Sequence, residues 1–147
     1  MRRNVPLLIV EDSDEDFEVT CWALRKVGVE RPIIRCTSTE GALGYLLPPE
    51  KSPDPAPPLP CLVLLDLNLP TGDGRQLLED LNRLPRRPPV PLVILSTSSN
   101  PRDVVACYRL GASGYLSKPL DLDDFVEKLR VFAAYWFMAV TLPEGER

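Results

Sequence analysis

Five short apolar runs alternate with longer segments of helical spacing, and this alternation restricts the possible folds more than any other feature. The runs are VPLLIV, PIIRC, CLVLLD, PLVILS and GYLS, which begin at positions 5, 32, 61, 91 and 114. Continuous apolar runs are typical of strands that are buried on both faces of a sheet. Strands that alternate with helices favour a parallel sheet. The pattern therefore predicts repeated β-α units around one parallel sheet.

Helix start signals occupy the segments between the runs. Capping residues precede three of these segments, namely Ser13, Thr37 and Asn100, and the last helix is predicted to begin at Asp121. Thr37 forms a capping box with Glu40, and Pro101 favours the first turn of the helix after Asn100. A further helix is predicted from about residue 74 to 84. Asp14, Glu15 and Asp16 are interpreted as solvated residues of a first turn. The last helix is expected to bury one face, made of Leu122, Phe125, Val126 and Leu129.

Length and apolar content indicate one domain over residues 1–147. The chain has 147 residues, of which 44% are hydrophobic, enough for a single core. We expect the core to span about residues 5–132, with an extended surface loop at 48–60, where seven of thirteen residues are proline. No apolar stretch reaches the roughly 18 residues of a membrane span. We therefore expect a cytoplasmic protein without membrane contact, whose four scattered cysteines are free thiols.

Two features of composition exclude whole classes of function. The chain contains no histidine, so it cannot supply a Ser-His or Cys-His catalytic pair or a phosphohistidine. The net charge is −4, and five of the six residues in EDSDED, positions 11 to 16, are acidic. This charge opposes binding to a phosphate backbone. Nucleic-acid binding is therefore not expected.

Polar residues follow the predicted strands at the points where the strands end. Glu11 and Asp12 follow the first strand, Asp66 ends the third, Ser96 ends the fourth and Lys118 follows the fifth. In a parallel α/β sheet, the carboxyl ends of strands meet at one edge, where ligands bind. Three carboxylates packed there would repel one another unless a cation neutralised them, and oxygen ligands suit Mg²⁺. Asp66 is then a plausible nucleophile toward phosphorus.

The chain resembles the receiver domains of two-component response regulators. VED, LLDLNLPTGDG, VILST and GYLSKP, at positions 10, 64, 93 and 114, match the family motifs in order and spacing over about residues 5 to 132. The resemblance implies a flavodoxin-like fold, with a doubly wound five-stranded parallel sheet and helices on both faces. It also implies transfer of a phosphoryl group from the phosphohistidine of a sensor kinase to one aspartate, without enzymatic turnover of another substrate.

The resemblance assigns the phosphoacceptor and the metal ligands. Asp66 matches the phosphoacceptor, and Glu11 and Asp12 match the acidic pair that positions Mg²⁺. Asn68 matches the residue whose backbone carbonyl completes the metal shell.

The resemblance also assigns a switch. Lys118 matches the family's lysine, and Ser96, which lies 22 residues before it, matches the switch hydroxyl. Thr97 comes one residue too late. Tyr115 matches the aromatic residue whose rotamer follows the state of that hydroxyl.

The C-terminal extension, residues 131–147, carries more aromatic residues than one intrachain face needs. We predict a homodimer interface there, formed by Phe132, Tyr135, Trp136 and Phe137. A competing interpretation is that Phe132 and Trp136 only continue the core. The YWF and VTLP segments and the proline-rich loop resemble the stand-alone regulators that pair with bacterial phytochromes, which implies a phytochrome kinase and a dimer.

Three other functions are weighed against this hypothesis. A haloacid dehalogenase-type phosphatase needs a second acid two residues after its nucleophile, where this chain has Asn68. A nucleotide-binding module needs a glycine-rich turn after the first strand, where this chain has carboxylates. A receiver-like dimeric binding module that works without phosphorylation stays open. Since no output domain follows in the 147 residues, we expect signalling through protein contacts.

Overall fold

The structure, a computed structural model, describes residues 5–47, 58–67 and 74–143. Strands and helices alternate along the chain as predicted. The elements are β1 (Leu7–Val10), α1 (Asp14–Lys26), β2 (Ile33–Cys36), α2 (Thr39–Leu46), β3 (Leu62–Asp66), α3 (Arg75–Asn82), β4 (Leu92–Ser96), α4 (Pro101–Arg109), β5 (Gly114–Ser117) and α5 (Leu122–Ala133), followed by a π-helical segment (Ala134–Ala139).

The five strands form one parallel sheet in the order β2-β1-β3-β4-β5. The predicted doubly wound, five-stranded receiver fold is therefore confirmed. β1 and β3 are direct neighbours, with Val10 opposite Leu65. Asp66, the last residue of β3, is opposite Leu95 of β4. This register brings the carboxyl ends of the three central strands to the same edge.

A hydrophobic core lies on each face of the sheet, because alternate strand residues point to opposite sides. Leu8 and Val10 pack with residues of α2, α3 and α4, whereas Leu7 and Ile9 pack with residues of α1 and α5. All four are at most 3% exposed. The central strands are thus held from both sides, as their uninterrupted apolar sequences indicated.

Two of the three predicted helix caps are confirmed, and one is wrong. Ser13 and Asn100 accept hydrogen bonds from backbone amides of the helices that follow them. Asp121, predicted as the first residue of the last helix, is the cap of α5, which begins at Leu122. Ser38, not Thr37, caps α2, and its hydroxyl accepts the Gly41 amide at 3.0 Å. Ser38 has the extended backbone that an N-cap requires, and the helix begins one residue later than the capping-box pattern placed it.

Leu122 was expected in the core but is 48% exposed. It is the first residue of α5 and lines a shallow apolar depression with Val19 and Trp22 of α1. The other predicted residues of that face, Phe125, Val126 and Leu129, are buried. The helical spacing identified the buried face correctly but could not show that its first residue, Leu122, is half exposed.

The C-terminal aromatic residues do not all lie on the surface. Phe132 is 3% exposed and packs in the core between α1 and α5. Its side chain therefore presents almost no surface to another chain. Trp136 and Phe137 are half-buried against the same core. Tyr135 and Met138 are 53% and 83% exposed. The structure thus divides the predicted interface into a part that completes the core and a part that faces outward.

Other sequence-based expectations concern the cysteines, membrane contact and the proline-rich loop. Cys21, Cys36, Cys61 and Cys107 are all free thiols, as expected, and the last two are buried. Among the helices that the structure describes, none is both long and apolar enough to cross a membrane. Most of the predicted proline-rich loop, residues 48–57, lies outside the described ranges.

Three glycines provide a test of backbone geometry. Gly28 and Gly111 both have φ +94°, whereas Gly44 lies inside α2 with open space around it. Gly44→Ala should raise the free energy of unfolding by about 0.5–1 kcal/mol, and Gly28→Ala should lower it by about 1 kcal/mol. Gly111→Ala should lower it by about 0.5–1.5 kcal/mol more than Gly28→Ala, because its Cβ would lie 2.6 Å from Arg87 Nη1 and would displace the guanidinium that donates to Asn82 Oδ1. Urea unfolding measures all three; equal losses at the two left-handed positions would contradict the steric part.

Candidate functional site

Three carboxylates meet at the carboxyl edge of the sheet. Glu11 and Asp12 directly follow β1, and Asp66 ends the neighbouring β3. One carboxylate oxygen from each lies within 4.8 Å of the others. Parallel pairing of β1 with β3 forces this proximity, because the two strands end side by side. The structure therefore brings together the three acids that the sequence analysis selected.

Glu11 is the most buried of the three acids, at 3% exposure. Its pKa is raised from 4.5 to about 8, chiefly by burial and then by the hydrogen bond and the negative charge of Asp66. The Ser13 amide, 3.4 Å from Glu11 Oε2, has a smaller effect and lowers the pKa of Glu11. Without a bound cation, the proton on Glu11 relieves part of the repulsion in the cluster.

The donor set fits a hard divalent cation. Carboxylate oxygens are the ligands that Mg²⁺ and Mn²⁺ prefer, and the three acids approach closely enough to share one ion. Asn68, the fourth predicted ligand, lies outside the described residues.

Arg35 of β2 borders the acidic cluster, and the sequence analysis did not select it. Its Nε donates to the backbone carbonyl of Glu11 at 3.0 Å, and its Nη1 lies 2.7 Å from an Asp14 carboxylate oxygen. The guanidinium also stacks over Phe17, 4.8 Å from the ring centre. Arg35 thus ties the end of β1 to the first turn of α1. A lone arginine within the apolar run PIIRC was the available signal.

Lys118 lies at the same edge, one residue beyond β5. Its amide donates to the Ser96 carbonyl at 2.6 Å, which aligns the ends of β4 and β5. Its ammonium is 3.8 Å from Asp16 Oδ1 and 5.5 Å from the centre of the Phe125 ring. The lysine side chain is only 19% exposed. Asp16, interpreted from sequence as a solvated first-turn residue, therefore also places a charge beside Lys118.

Ser96 and Tyr115 are connected through the loop between β4 and α4. Ser96 is 1% exposed, and its hydroxyl accepts the Ser98 amide at 3.1 Å. The Tyr115 hydroxyl donates to the Ser98 carbonyl at 2.8 Å, and the tyrosine packs partly buried against the core beneath α2, α3 and α4. Thr97, the rejected alternative to Ser96, is exposed. Ser98 itself was left out of the site by the sequence analysis.

Gly74 approaches the backbone of the acidic site closely. A Cβ at this position would lie 3.1 Å from the Asp66 carbonyl oxygen and 3.1 Å from Leu67 Cα. These backbone atoms cannot move without displacing the end of β3. The glycine thus permits α3 to begin directly against the strand that carries Asp66.

Comparison with known proteins gives one consistent family. The model of the response regulator receiver domain matches residues 7–130. Response regulator Rcp1 from Synechocystis sp. is 34% identical over 137 residues, which cover 93% of this chain and 92% of Rcp1. The crystal structure of its Mn²⁺-bound form has a TM-score of 0.79 at 33% identity, covering 95% of this chain and 99% of that one.

Two further solved structures come from light-signalling regulators. The phosphorylated cyanobacterial phytochrome response regulator RcpA is 29% identical with a TM-score of 0.82, covering 96% of this chain and 99% of that one. Response regulator RPA3017, in red light signalling of R. palustris, is 28% identical with a TM-score of 0.84, covering 95% and 98%.

The raised pKa of Glu11 predicts a specific pH dependence in the metal-free protein. Between pH 4.5, its ordinary pKa, and about 8, the folded state holds a proton that the unfolded state releases. The contribution of Glu11 should therefore lower the stability as pH rises through this window, by at most about 1.4 kcal/mol per pH unit. Glu11→Gln should remove that contribution.

Urea unfolding in EDTA at several pH values, with wild type and Glu11→Gln in parallel, measures the difference. Asp80→Asn, which changes a surface acid of α3, serves as the control and should keep the wild-type slope. Parallel stability curves for wild type and Glu11→Gln would contradict the assigned pKa.

Proposed function

The chain belongs to the response regulator receiver domain family, and from that premise we propose that it accepts a phosphoryl group on Asp66 from a sensor histidine kinase and signals through protein contacts. The observation that carries this proposal is the cluster of Glu11, Asp12 and Asp66, with their carboxylate oxygens within 4.8 Å. Ser96 and Lys118 lie at the ends of β4 and β5, on the same edge of the sheet.

We propose Mg²⁺ as the working cofactor, held by Glu11, Asp12 and Asp66, with the Asn68 carbonyl as a further ligand. The relative Rcp1 has a Mn²⁺-bound form, which supports a divalent ion as the cofactor of this chain. When bound, the ion would offset negative charge on the carboxylates and on an incoming phosphoryl group.

Three residues of this chain have separate roles in the phosphoryl transfer. A carboxylate oxygen of Asp66 forms the new bond to phosphorus, while the phosphorus–nitrogen bond of the kinase phosphohistidine breaks and its electron pair stays on the imidazole. Because this chain contains no histidine, that donor belongs to the partner. Lys118 supplies a positive charge near the phosphoryl oxygens, and Ser96 supplies a hydroxyl donor. The protein thus assists its own phosphorylation and dephosphorylation without acting as an enzyme on another substrate.

The switch follows from the contacts of Ser96. Its hydroxyl accepts one hydrogen bond, from Ser98, and keeps its own hydrogen to donate. A phosphoryl group on Asp66 would draw that hydroxyl toward itself and so alter the Ser98 loop, to which Tyr115 is bonded. A partner that binds the surface of α4, β5 and α5 would then distinguish the two states.

The proposed partner is a phytochrome-type sensor kinase. The similarity to Rcp1, RcpA and RPA3017 supports this choice, because RcpA is a phytochrome response regulator and RPA3017 takes part in red light signalling. The acidic net charge supports the expectation that nucleic acid is not a partner. We place this exchange in the cytoplasm.

The phosphoacceptor is tested by intact mass after incubation with acetyl phosphate, with and without Mg²⁺. The wild-type chain should gain one phosphoryl group only with Mg²⁺, and Asp66→Asn should gain none, since it removes the nucleophile while keeping nearly the same shape. Asp80→Asn is the matched control and should react like wild type.

Two results would contradict this assignment. A phosphoryl group on another residue of Asp66→Asn would show that Asp66 is not the acceptor. No gain in the wild-type chain under any condition would leave a receiver fold that serves as a dimeric binding module without phosphorylation.

We also propose that the C-terminal extension, residues 131–147, forms a homodimer interface. Val131, Tyr135 and Met138 are 62%, 53% and 83% exposed. Val131 and Tyr135 line a groove of about 640 Å³ together with Leu116, Pro119, Phe132 and Trp136.

The charges around this groove favour a second copy as its occupant. Asp124, Glu127 and Lys128 line the same groove, so the surface carries both signs of charge. A two-fold contact places the same patch of each copy against the other, and a patch with both signs can be complementary to itself. Phe132 would support this surface from below, through its ring contact with Phe137.

The dimer surface is tested with the double substitution Tyr135→Ser and Met138→Ser. Loss of two exposed apolar side chains from an interface core should weaken self-association roughly 10- to 100-fold. Trp22→Ser is the matched control, because Trp22 is 47% exposed but lies on α1. Sedimentation equilibrium measures the dissociation constants. An unchanged sedimentation profile of the double variant would count against this surface.

A further inference from the structure

A chain of polar contacts connects the loop after β4 with the starts of α3 and α4. Arg75, the first residue of α3, places Nη2 2.9 Å from Asp103 Oδ1. The Ser98 hydroxyl donates to the other Asp103 oxygen at 2.6 Å. The Arg75 and Asp103 side chains are 32% and 27% exposed, so water screens this pair only in part. None of the three residues belongs to the acidic cluster.

Ser98 uses each of its polar groups in this region. Its amide donates to the Ser96 hydroxyl at 3.1 Å, and its carbonyl accepts the Tyr115 hydroxyl at 2.8 Å. Its own hydroxyl accepts the Asn100 amide at 3.2 Å and donates to Asp103. The position of Ser98 therefore determines the geometry of the hydrogen bond that the Ser96 hydroxyl accepts. It also determines where the Tyr115 hydroxyl is held.

We propose that Asp103 is a positioning residue that clamps Ser98 and thereby holds both switch residues, with Arg75 fixing the Asp103 carboxylate. We call Arg75, Asp103 and Ser98 the Asp103 clamp. A hydrogen bond from a hydroxyl to an ionised carboxylate is short and strong, and the ion pair with Arg75 keeps the carboxylate in one orientation. Because both Asp103 oxygens are engaged, displacement of Ser98 would require displacement of the α3–α4 contact as well.

The Asp103 clamp gives the switch a second output. This consequence rests on the proposed phosphorylation of Asp66. When Ser96 moves toward a phosphoryl group, Ser98 loses the acceptor of its amide, and the resulting shift passes through Asp103 to the first turns of α3 and α4. Phosphorylation of Asp66 would then change the structure near Arg75 as well as at Tyr115.

The Asp103 clamp is tested in the unphosphorylated protein, so that its outcome is independent of the phosphoacceptor. The chain has four tyrosines, and incorporation of 3-fluorotyrosine gives each a ¹⁹F resonance. The Tyr115 resonance is identified by its loss in Tyr115→Phe. Asp103→Ala and Ser98→Ala should each shift or broaden it, and the Ser98 amide should exchange with solvent roughly five- to tenfold faster in Asp103→Ala.

Arg75→Gln tests whether Arg75 acts through Asp103. If it does, the double substitution Arg75→Gln and Asp103→Ala should change the Tyr115 resonance no more than Asp103→Ala alone. Asp80→Asn weakens an ion pair outside the Asp103 clamp, 3.9 Å from Arg83 Nη1, and should leave the resonance unchanged.

Two outcomes would overturn the proposal. A Tyr115 resonance unaffected by both Asp103→Ala and Ser98→Ala would show that the Asp103 clamp does not position Tyr115. Additive effects of the Arg75 and Asp103 substitutions on the Tyr115 resonance would show that Arg75 does not act through Asp103. Failure of the proposed function would appear separately, as wild-type protein that gains no mass with acetyl phosphate.

Discussion

Three carboxylates that repel one another lie side by side at one edge of the sheet, and the rest of the fold holds them there. Glu11, Asp12 and Asp66 would separate if the backbone allowed it, but β1 and β3 are paired in a fixed parallel register. Two apolar cores hold those strands, one on each face. The folding free energy of the cores thus maintains a site that is unfavourable by itself, and the raised pKa of Glu11 is a sign of that unfavourable state.

Cationic side chains surround this edge without cancelling its charge. Arg35 bonds to Asp14 and to the backbone of Glu11, and the Lys118 ammonium lies 3.8 Å from Asp16 Oδ1. Their partners are first-turn acids of α1, where a helix dipole also favours negative charge. The arrangement keeps positive charge close to the carboxylates while leaving the cluster suited to a cation.

The aromatic segment at the C-terminal end of the molecule has two roles, because some of its side chains pack in the core and others face outward. Phe125, Leu129 and Phe132 continue the buried stripe of α5 at helical spacing. The π-helical segment, Ala134–Ala139, then changes the angular spacing of the side chains. Trp136 and Phe137 return to the core, while Tyr135 and Met138 face outward. One segment can thereby complete the fold and present a surface.

The local sequence determined the elements and the positions of the chemistry. Apolar runs located the five strands, capping residues such as Ser13 located helix starts, and strand ends located Glu11, Asp12 and Asp66. These features depend on neighbours within a few residues, which a linear pattern contains. The pattern nevertheless placed the cap of α2 at Thr37 instead of Ser38, because a sequence pattern does not locate a helix start to within one residue.

Contacts between side chains away from the strand ends came only from the tertiary structure. Arg75 and Asp103 meet although they are 28 residues apart, and Arg35 reaches Glu11 across 24 residues. Whether Leu122 or Phe132 is buried likewise depends on how α5 packs on its neighbours. Such contacts arise from the packing of whole elements on the two faces of the sheet. Local propensity and spacing carry no information about that packing, because they describe one element at a time.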